Sequence, residues 1–244
     1  MTYDSVEKPP MMSAPSPLHA CVSHPTRPVL TVRLGLLLFI GAAGGFFVIA
    51  AGVAACGPSD LLPDQAVAIW FRTQRTPTLL TAMHLATSLG STSWVTGVAL
   101  CAALALMWRR CWDRLLMFGM AVPGGMVLCV ILKTVFHRAR SGPETWSSSF
   151  LGYGFPSGHT MAATLLYGAL AACVFDAIAN RCVRAGAVFG AVALVGLVGF
   201  SRLALGAHYL SEVVAAVAAG LAWLVLCFTT TDALRRRISA QGHP

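Results

Sequence analysis

The sequence predicts an all-α, polytopic membrane protein, a bundle of six transmembrane helices, and three observations carry that prediction. Hydrophobic residues make up 57% of the 244 and charged residues only 11%, against roughly a quarter charged in soluble domains. The apolar residues come in long uncharged runs, among them the 22 residues of 34–55, enough to cross a bilayer core at about 1.5 Å rise per residue. Arginine and lysine collect in the connections between alternate runs, as the orientation of inserted helices demands. The first two observations exclude an ordinary soluble fold. They also remove the usual reading of a net charge of +8 as a nucleic-acid surface.

Residues 1–30 hold Asp4, Glu7, Lys8, six prolines and four serines, with no apolar run able to pack, and read as a disordered cytoplasmic tail. The first span is 34–55. Its end, at Ala54-Ala55-Cys56, is similar to a lipoprotein cleavage box, but the tail before it is too long and too proline-rich for such a signal. Residues 57–75 are polar around a short amphipathic piece, 65–71, whose Trp70 and Phe71 suit a membrane interface. Residues 76–108 are uncharged but broken by Pro77 and by Gly90-Ser91-Thr92-Ser93, which predicts a short hydrophobic helix and then a second span from about residue 94. His84 there reads as a helix-packing polar residue. The third span is 115–132, with Pro123-Gly124-Gly125 as a kink or close-packing point.

A polar connection, 134–155, leads to three further spans at 160–175, 185–200 and 213–230. The fourth and fifth are short for a full crossing, so cavity-lining residues must complete their ends. The membrane domain is thus 31–234, followed by a short basic cytoplasmic tail, 235–244. Eight scattered cysteines, with no C-x-x-C pair, read as small apolar fillers rather than a zinc site or a disulfide framework.

Charge sets the orientation. Lys8, Arg27, Arg33, Arg109, Arg110, Arg114, Arg181, Arg184 and Arg235-Arg236-Arg237 fall on one side, 11 of the 17 basic residues. That side is cytoplasmic and both termini lie there. The minority comprises Arg72, Arg75, Lys133, Arg138, Arg140 and Arg202. Six crossings place 133–140, 156–159 and 201–212 together on the outer face, and those segments carry the chemistry.

Phe155-Pro156-Ser157-Gly158-His159-Thr160 stands directly before an apolar run. Proline fixes φ, serine favours the N-cap and glycine admits close approach of a ligand, so the segment reads as a helix start able to bind an anion. Lys133 and Arg140 precede it, and Ser201-Arg202, His208 and Glu212 follow. Three cations and two histidines form a phosphate clamp with proton-transfer and nucleophilic groups, provided the fold joins them. Arg138, beside a membrane-facing helix, reads as an interface anchor outside this set.

The pattern resembles the type 2 phosphatidic acid phosphatase family, the integral membrane lipid phosphatases. That family carries Lys, six residues, Arg-Pro; then Pro-Ser-Gly-His; then Ser-Arg, five residues, His, three residues, Asp. Lys133 and Arg140, Pro156-Ser157-Gly158-His159, and Ser201-Arg202 with His208 match at the right spacings. Ser141 replaces the proline and Glu212 the aspartate.

The resemblance implies roles. Lys133, Arg140 and Arg202 neutralise the phosphoryl oxygens, with Ser157, Gly158 and the helix-start amides adding hydrogen bonds. His208 is the nucleophile that forms a phosphohistidine, and His159 the general acid for the leaving oxygen. Glu212, one helical turn beyond His208, orients its imidazole.

No cofactor and no metal is expected, because Asp60, Asp64, Glu144 and Glu212 are too dispersed for a two-metal site. The expected activity is metal-independent hydrolysis of a lipid phosphate or diphosphate at the outer face of the plasma (inner) membrane. Undecaprenyl diphosphate, phosphatidylglycerophosphate, phosphatidic acid and a lipid A phosphate are the candidate substrates. The alternatives are a lipid phosphotransferase using the same intermediate and a non-catalytic phosphate-lipid-binding protein. The partners expected are the membrane and the lipid phosphate, with no nucleic acid.

Overall fold

The computed structural model describes residues 32–55, 62–138 and 153–241, and within them the chain forms eight helices. These are α1 (Val32–Ala55), α2 (Leu62–Thr73), α3 (Pro77–Ser88), α4 (Thr92–Trp108), α5 (Trp112–Phe136), α6 (Gly158–Ala177), α7 (Arg181–Ala204) and α8 (Leu210–Gln241). Six stretches among them are long and apolar enough to cross a membrane: 33–55, 77–108, 112–136, 158–177, 181–204 and 210–234. The third of the predicted spans and the last three are longer at both ends than their apolar runs suggested. The fourth and fifth reach 20 and 24 residues because polar motif residues continue the helices.

The bundle is organised around α6. Nearly every residue of its first three turns is buried, among them Thr160, Met161, Ala163, Leu165 and Leu166. The helices α5, α7 and α8 close around it, and α1 packs along α8. Small residues permit this. A Cβ at Gly125 of α5 would strike Leu165, and one at Gly220 of α8 would strike Thr164, so glycine lets both backbones approach the central helix. Pro123 lies inside α5 next to that contact, and there the Trp223 indole donates to the Met120 carbonyl at 3.1 Å.

Outward faces carry large apolar side chains: Leu37, Val48, Trp108, Val127, Phe189 and Val192 are all exposed. In water this would be a severe liability. Facing acyl chains, such residues are at home. The cysteines depart from the expected pattern in one place. Cys101, Cys129, Cys173, Cys182 and Cys227 are free, whereas Cys111, at the start of α5, is disulfide-bonded.

Alternation of direction sets what can meet. The C-terminal end of α5, the N-terminal end of α6, the C-terminal end of α7 and the N-terminal end of α8 share one mouth of the bundle. At the opposite end Arg114, at the start of α5, donates to Asp176, at the end of α6, at 2.7 Å.

Candidate active site

Lys133 lies in the last turn of α5 and is buried, with Nζ donating to the Tyr153 carbonyl at 2.5 Å. Two residues after α5 ends, the Arg138 carbonyl accepts from Gly154 N–H at 2.8 Å, so the chain entering α6 is tied back to the exit of α5. Phe155 anchors that entry. It is fully buried, with its ring against Phe136 and Phe46 at centroid distances of 4.9 and 5.8 Å.

Ser157 occupies the N-cap of α6, but its hydroxyl makes no cap hydrogen bond and pairs with Thr160 Oγ1 at 3.0 Å. The first amides of the helix are therefore not quenched by their own cap, which is the condition for binding an anion there. Gly158 opens the helix beside the lysine: a Cβ built on it would sit 3.7 Å from Lys133 Cε. His159 follows, its carbonyl packed so closely on Gly90 of the α3–α4 turn that a Cβ there would lie 2.8 Å away.

Arg202, in the last turn of α7, is 3% exposed and donates from Nη1 to Thr87 Oγ1 on α3 at 3.0 Å. The chain then turns through Gly206, which takes a φ of +67°, and reaches His208 and α8. His208 is thus on the turn ahead of α8 and not on the helix. The expected pairing with Glu212 exists, but its geometry is different from two side chains over one helical turn.

Glu212 is the third residue of α8 and Tyr209 its N-cap. Glu212 Oε2 accepts from the Tyr209 backbone N–H at 3.3 Å and lies 2.7 Å from His208 Nδ1. Reaching back to the cap amide is half of a capping box. The longer glutamate can therefore hold the helix start and the imidazole with one oxygen. Its own carbonyl accepts from Ser157 N–H at 3.2 Å, which fixes the start of α6 against the start of α8.

Arg138 departs most from the sequence reading. Far from being an interface anchor, it is 7% exposed, with Nη1 3.5 Å from Glu212 Oε1 and 3.2 Å from Ser211 Oγ. Its guanidinium also stands 3.9 Å from Asp64 on α2 and over the Tyr209 ring. Asp64 was missed as well. Its two oxygens accept from Ser211 N–H at 2.7 Å and Ser211 Oγ at 2.6 Å, so α2 supplies a side-chain cap to α8 from 147 residues away. An acidic residue opening an amphipathic helix was the available signal.

The structure therefore gathers Lys133, Ser157, Gly158, His159, Arg202, His208 and Glu212 around one mouth, whereas Arg140 and Ser141 lie outside the described residues. Among the described residues no cluster of three or more His, Cys, Asp or Glu side chains is placed to hold a metal ion.

Membrane-crossing helices with basic groups and a His–Glu pair gathered at one mouth define a class, the helical membrane proteins that handle phosphate groups at the edge of the bilayer. Within it the family is settled by comparison: residues 114–236 match the PAP2 superfamily, and the chain belongs to that family. Phosphatidylglycerophosphatase B of Bacillus subtilis (strain 168) is 31% identical over 153 residues, covering 60% of this chain and 72% of the relative. The crystal structure of a transmembrane PAP2-type phosphatidylglycerolphosphate phosphatase from Bacillus subtilis matches with a TM-score of 0.67 at 25% identity, over 82% of this chain and 96% of that one. The protein is accordingly a membrane lipid phosphatase.

Proposed function

We propose that the chain hydrolyses a phosphate monoester on a membrane lipid through a phosphohistidine at His208, at the outer face of the membrane, with phosphatidylglycerophosphate as the preferred substrate. The observation that carries this reading is the buried His208–Glu212 pair at 2.7 Å, set opposite the helix start beside Lys133. The substrate rests on the likeness to the Bacillus phosphatase.

The reaction runs in two displacements. Lys133, Arg202 and Arg140 gather the phosphoryl oxygens, with Ser157 and the amides beginning at Gly158 completing the cradle where charge builds up. Glu212 holds the Nδ1–H, so Nε2 presents its lone pair to phosphorus. The P–Nε2 bond forms as the P–O bond to the lipid breaks, and His159 gives its proton to the departing oxygen. The imidazolium of the intermediate faces the Glu212 carboxylate, which balances its charge. Water then attacks phosphorus, His159 takes the water proton, the P–N bond breaks and orthophosphate leaves.

The charge neutralisation that a metal gives other phosphatases is assigned here to the cations. The nearby carboxylates are committed elsewhere: Asp64 to Ser211 and Arg138, Glu212 to His208, Tyr209 and Arg138. The test is phosphate release by the purified protein from phosphatidylglycerophosphate, undecaprenyl diphosphate and phosphatidic acid in the presence of EDTA. Orthophosphate from at least the first is expected. Release that vanishes on chelation and returns with magnesium would overturn the metal-free mechanism, and label recovered on a second lipid would make the protein a phosphotransferase.

A further inference from the structure

A cavity of about 490 Å³ opens beside His208, between α2 and the turn that joins α7 to α8. That is the size of a small-molecule site and much larger than a single phosphoryl group needs. Its lining includes His208 but none of Lys133, Ser157, Gly158 or Arg202. The space therefore adjoins the phosphate cradle without being the cradle, and the imidazole is the wall they share.

Two guanidiniums line it. Arg72 comes from the last turn of α2 and Arg75 from the residues just after it. Neither makes a hydrogen bond or ion pair with another described residue. The cavity's carboxylate, Asp64, bonds Ser211 and faces Arg138 rather than either of these arginines. The Arg75 guanidinium lies against Gly206. A Cβ on Gly206 would collide with that guanidinium, and the φ of +67° there favours glycine independently. Gly206 stands two residues before His208, so the Arg75 guanidinium, on an exposed side chain, lies beside the turn that carries the histidine.

We infer that Arg72 and Arg75 form a second anion subsite, which receives a phosphate group carried by the lipid headgroup in addition to the one that is cleaved. Paired guanidiniums suit phosphate oxygens in number and geometry. The subsite favours headgroups bearing two phosphates over simple monoesters. This rests on the proposed lipid phosphatase reading, and it adds to that reading a reason for headgroup selection. A bilayer neighbour with an anionic headgroup offers the same chemistry from the other side, because α2 exposes Ile69 and Trp70 as an interfacial helix does. The shared wall at His208 favours the substrate's own second phosphate.

Phosphatidylglycerophosphate and phosphatidic acid with identical acyl chains separate these sources, since both carry a monoester and only the first carries a further phosphodiester. The full-length protein is assayed in neutral detergent micelles as wild type, Arg72→Gln, Arg75→Gln and the double variant. The expected kcat/KM for phosphatidylglycerophosphate falls about fivefold per arginine, the scale of an exposed charge pair, mainly through KM, and the loss shrinks at high salt. Phosphatidic acid should stay within about twofold of wild type on the same scale. Equal losses on both lipids, or none on either, would overturn the subsite. So would a loss that appears only in vesicles containing a bystander anionic lipid, which would assign the arginines to a bilayer neighbour. Calorimetric binding of the two lipids to the His208→Ala protein, with and without both glutamines, reads the subsite without turnover. Tighter binding of phosphatidylglycerophosphate that the glutamines abolish is expected even if the catalytic reading fails.

Discussion

Replacing Glu212 tests the centre of the mechanism, because length and charge can be changed separately at a position the structure defines closely. Glu212 is fully buried and one of its oxygens serves two donors, His208 Nδ1 at 2.7 Å and Tyr209 N–H at 3.3 Å. In Glu212→Gln the amide oxygen can keep both bonds if the amide nitrogen turns toward Arg138, 3.5 Å from the other oxygen. The tautomer then survives, and what is lost is the charge that faced both the imidazolium and Arg138, whose guanidinium now meets an N–H donor. A fall in kcat of about 10²- to 10³-fold is expected, below the ~10⁴ seen when an orienting carboxylate becomes an amide that selects the wrong tautomer. In Glu212→Asp the charge stays but the side chain shortens by about 1.5 Å, one carbon–carbon bond. The chain cannot follow freely, because the Glu212 carbonyl is held by Ser157 N–H and the next residue back, Ser211, by Asp64. One of the two bonds to the carboxylate must weaken, and a loss of roughly tenfold is expected, about one hydrogen bond. The assay is single-turnover release of labelled phosphate from phosphatidylglycerophosphate, alongside thermal melting to confirm the fold. The order wild type, aspartate, glutamine is the expectation. Aspartate as poor as glutamine would mean that reach, and not charge, sets the rate; glutamine within threefold of wild type would remove Glu212 from the reaction.

His208→Ala should abolish turnover, and acid-labile phosphate should be trapped on His208 of the wild type by an alkaline quench; label on a serine, or an active alanine variant, refutes the nucleophile. A cysteine at Gln74 should react with an impermeant maleimide from outside the cell and one at Arg181 should not; the reverse pattern inverts the bundle. Asp64→Asn weakens the side-chain cap on α8 and removes a charge facing Arg138, so it should cost about 1 kcal/mol of stability and lower kcat by displacing Glu212, whereas unchanged melting and kcat would show that α2 does not support the site.

The spans were legible because a bilayer imposes a length and a composition that leave a plain trace in the sequence. Their hierarchy was not. What makes α6 central is small residues on the helices around it, such as Gly125 and Gly220, and hydropathy is blind to which helix another one packs on. The site divides in the same way. Lys133, Ser157, Gly158, His159, Arg202 and His208 recur at fixed spacings and could be read in order. The pairing of His208 with Glu212 was legible as a four-residue interval, although the turn before α8, and not a shared helical face, brings the two together. Arg138 and Asp64 were passed over because each is meaningful only through partners distant in sequence: Arg138 meets Ser211 from 73 residues away and Asp64 from 147. Isolated, an arginine beside a membrane helix looks like an anchor and a lone aspartate like solvated surface.

The two sets of groups are tied to the bundle differently. The groups assigned to phosphorus chemistry sit at the ends of bundle helices, where a shift of any one backbone disturbs several contacts at once. The groups outside the spaced motif, Asp64, Arg72 and Arg75, come from the short helix α2 and its exit, and line the cavity beside His208. Asp64 fastens that helix to the start of α8, so Arg72, about two helical turns beyond it, and Arg75, just past the end of the helix, are carried to the cavity that His208 lines. With the proposed anion subsite at Arg72 and Arg75, a change of headgroup preference arises on α2 and its exit while the chemistry at the bundle mouth is left intact, provided the aspartate that docks the helix is kept.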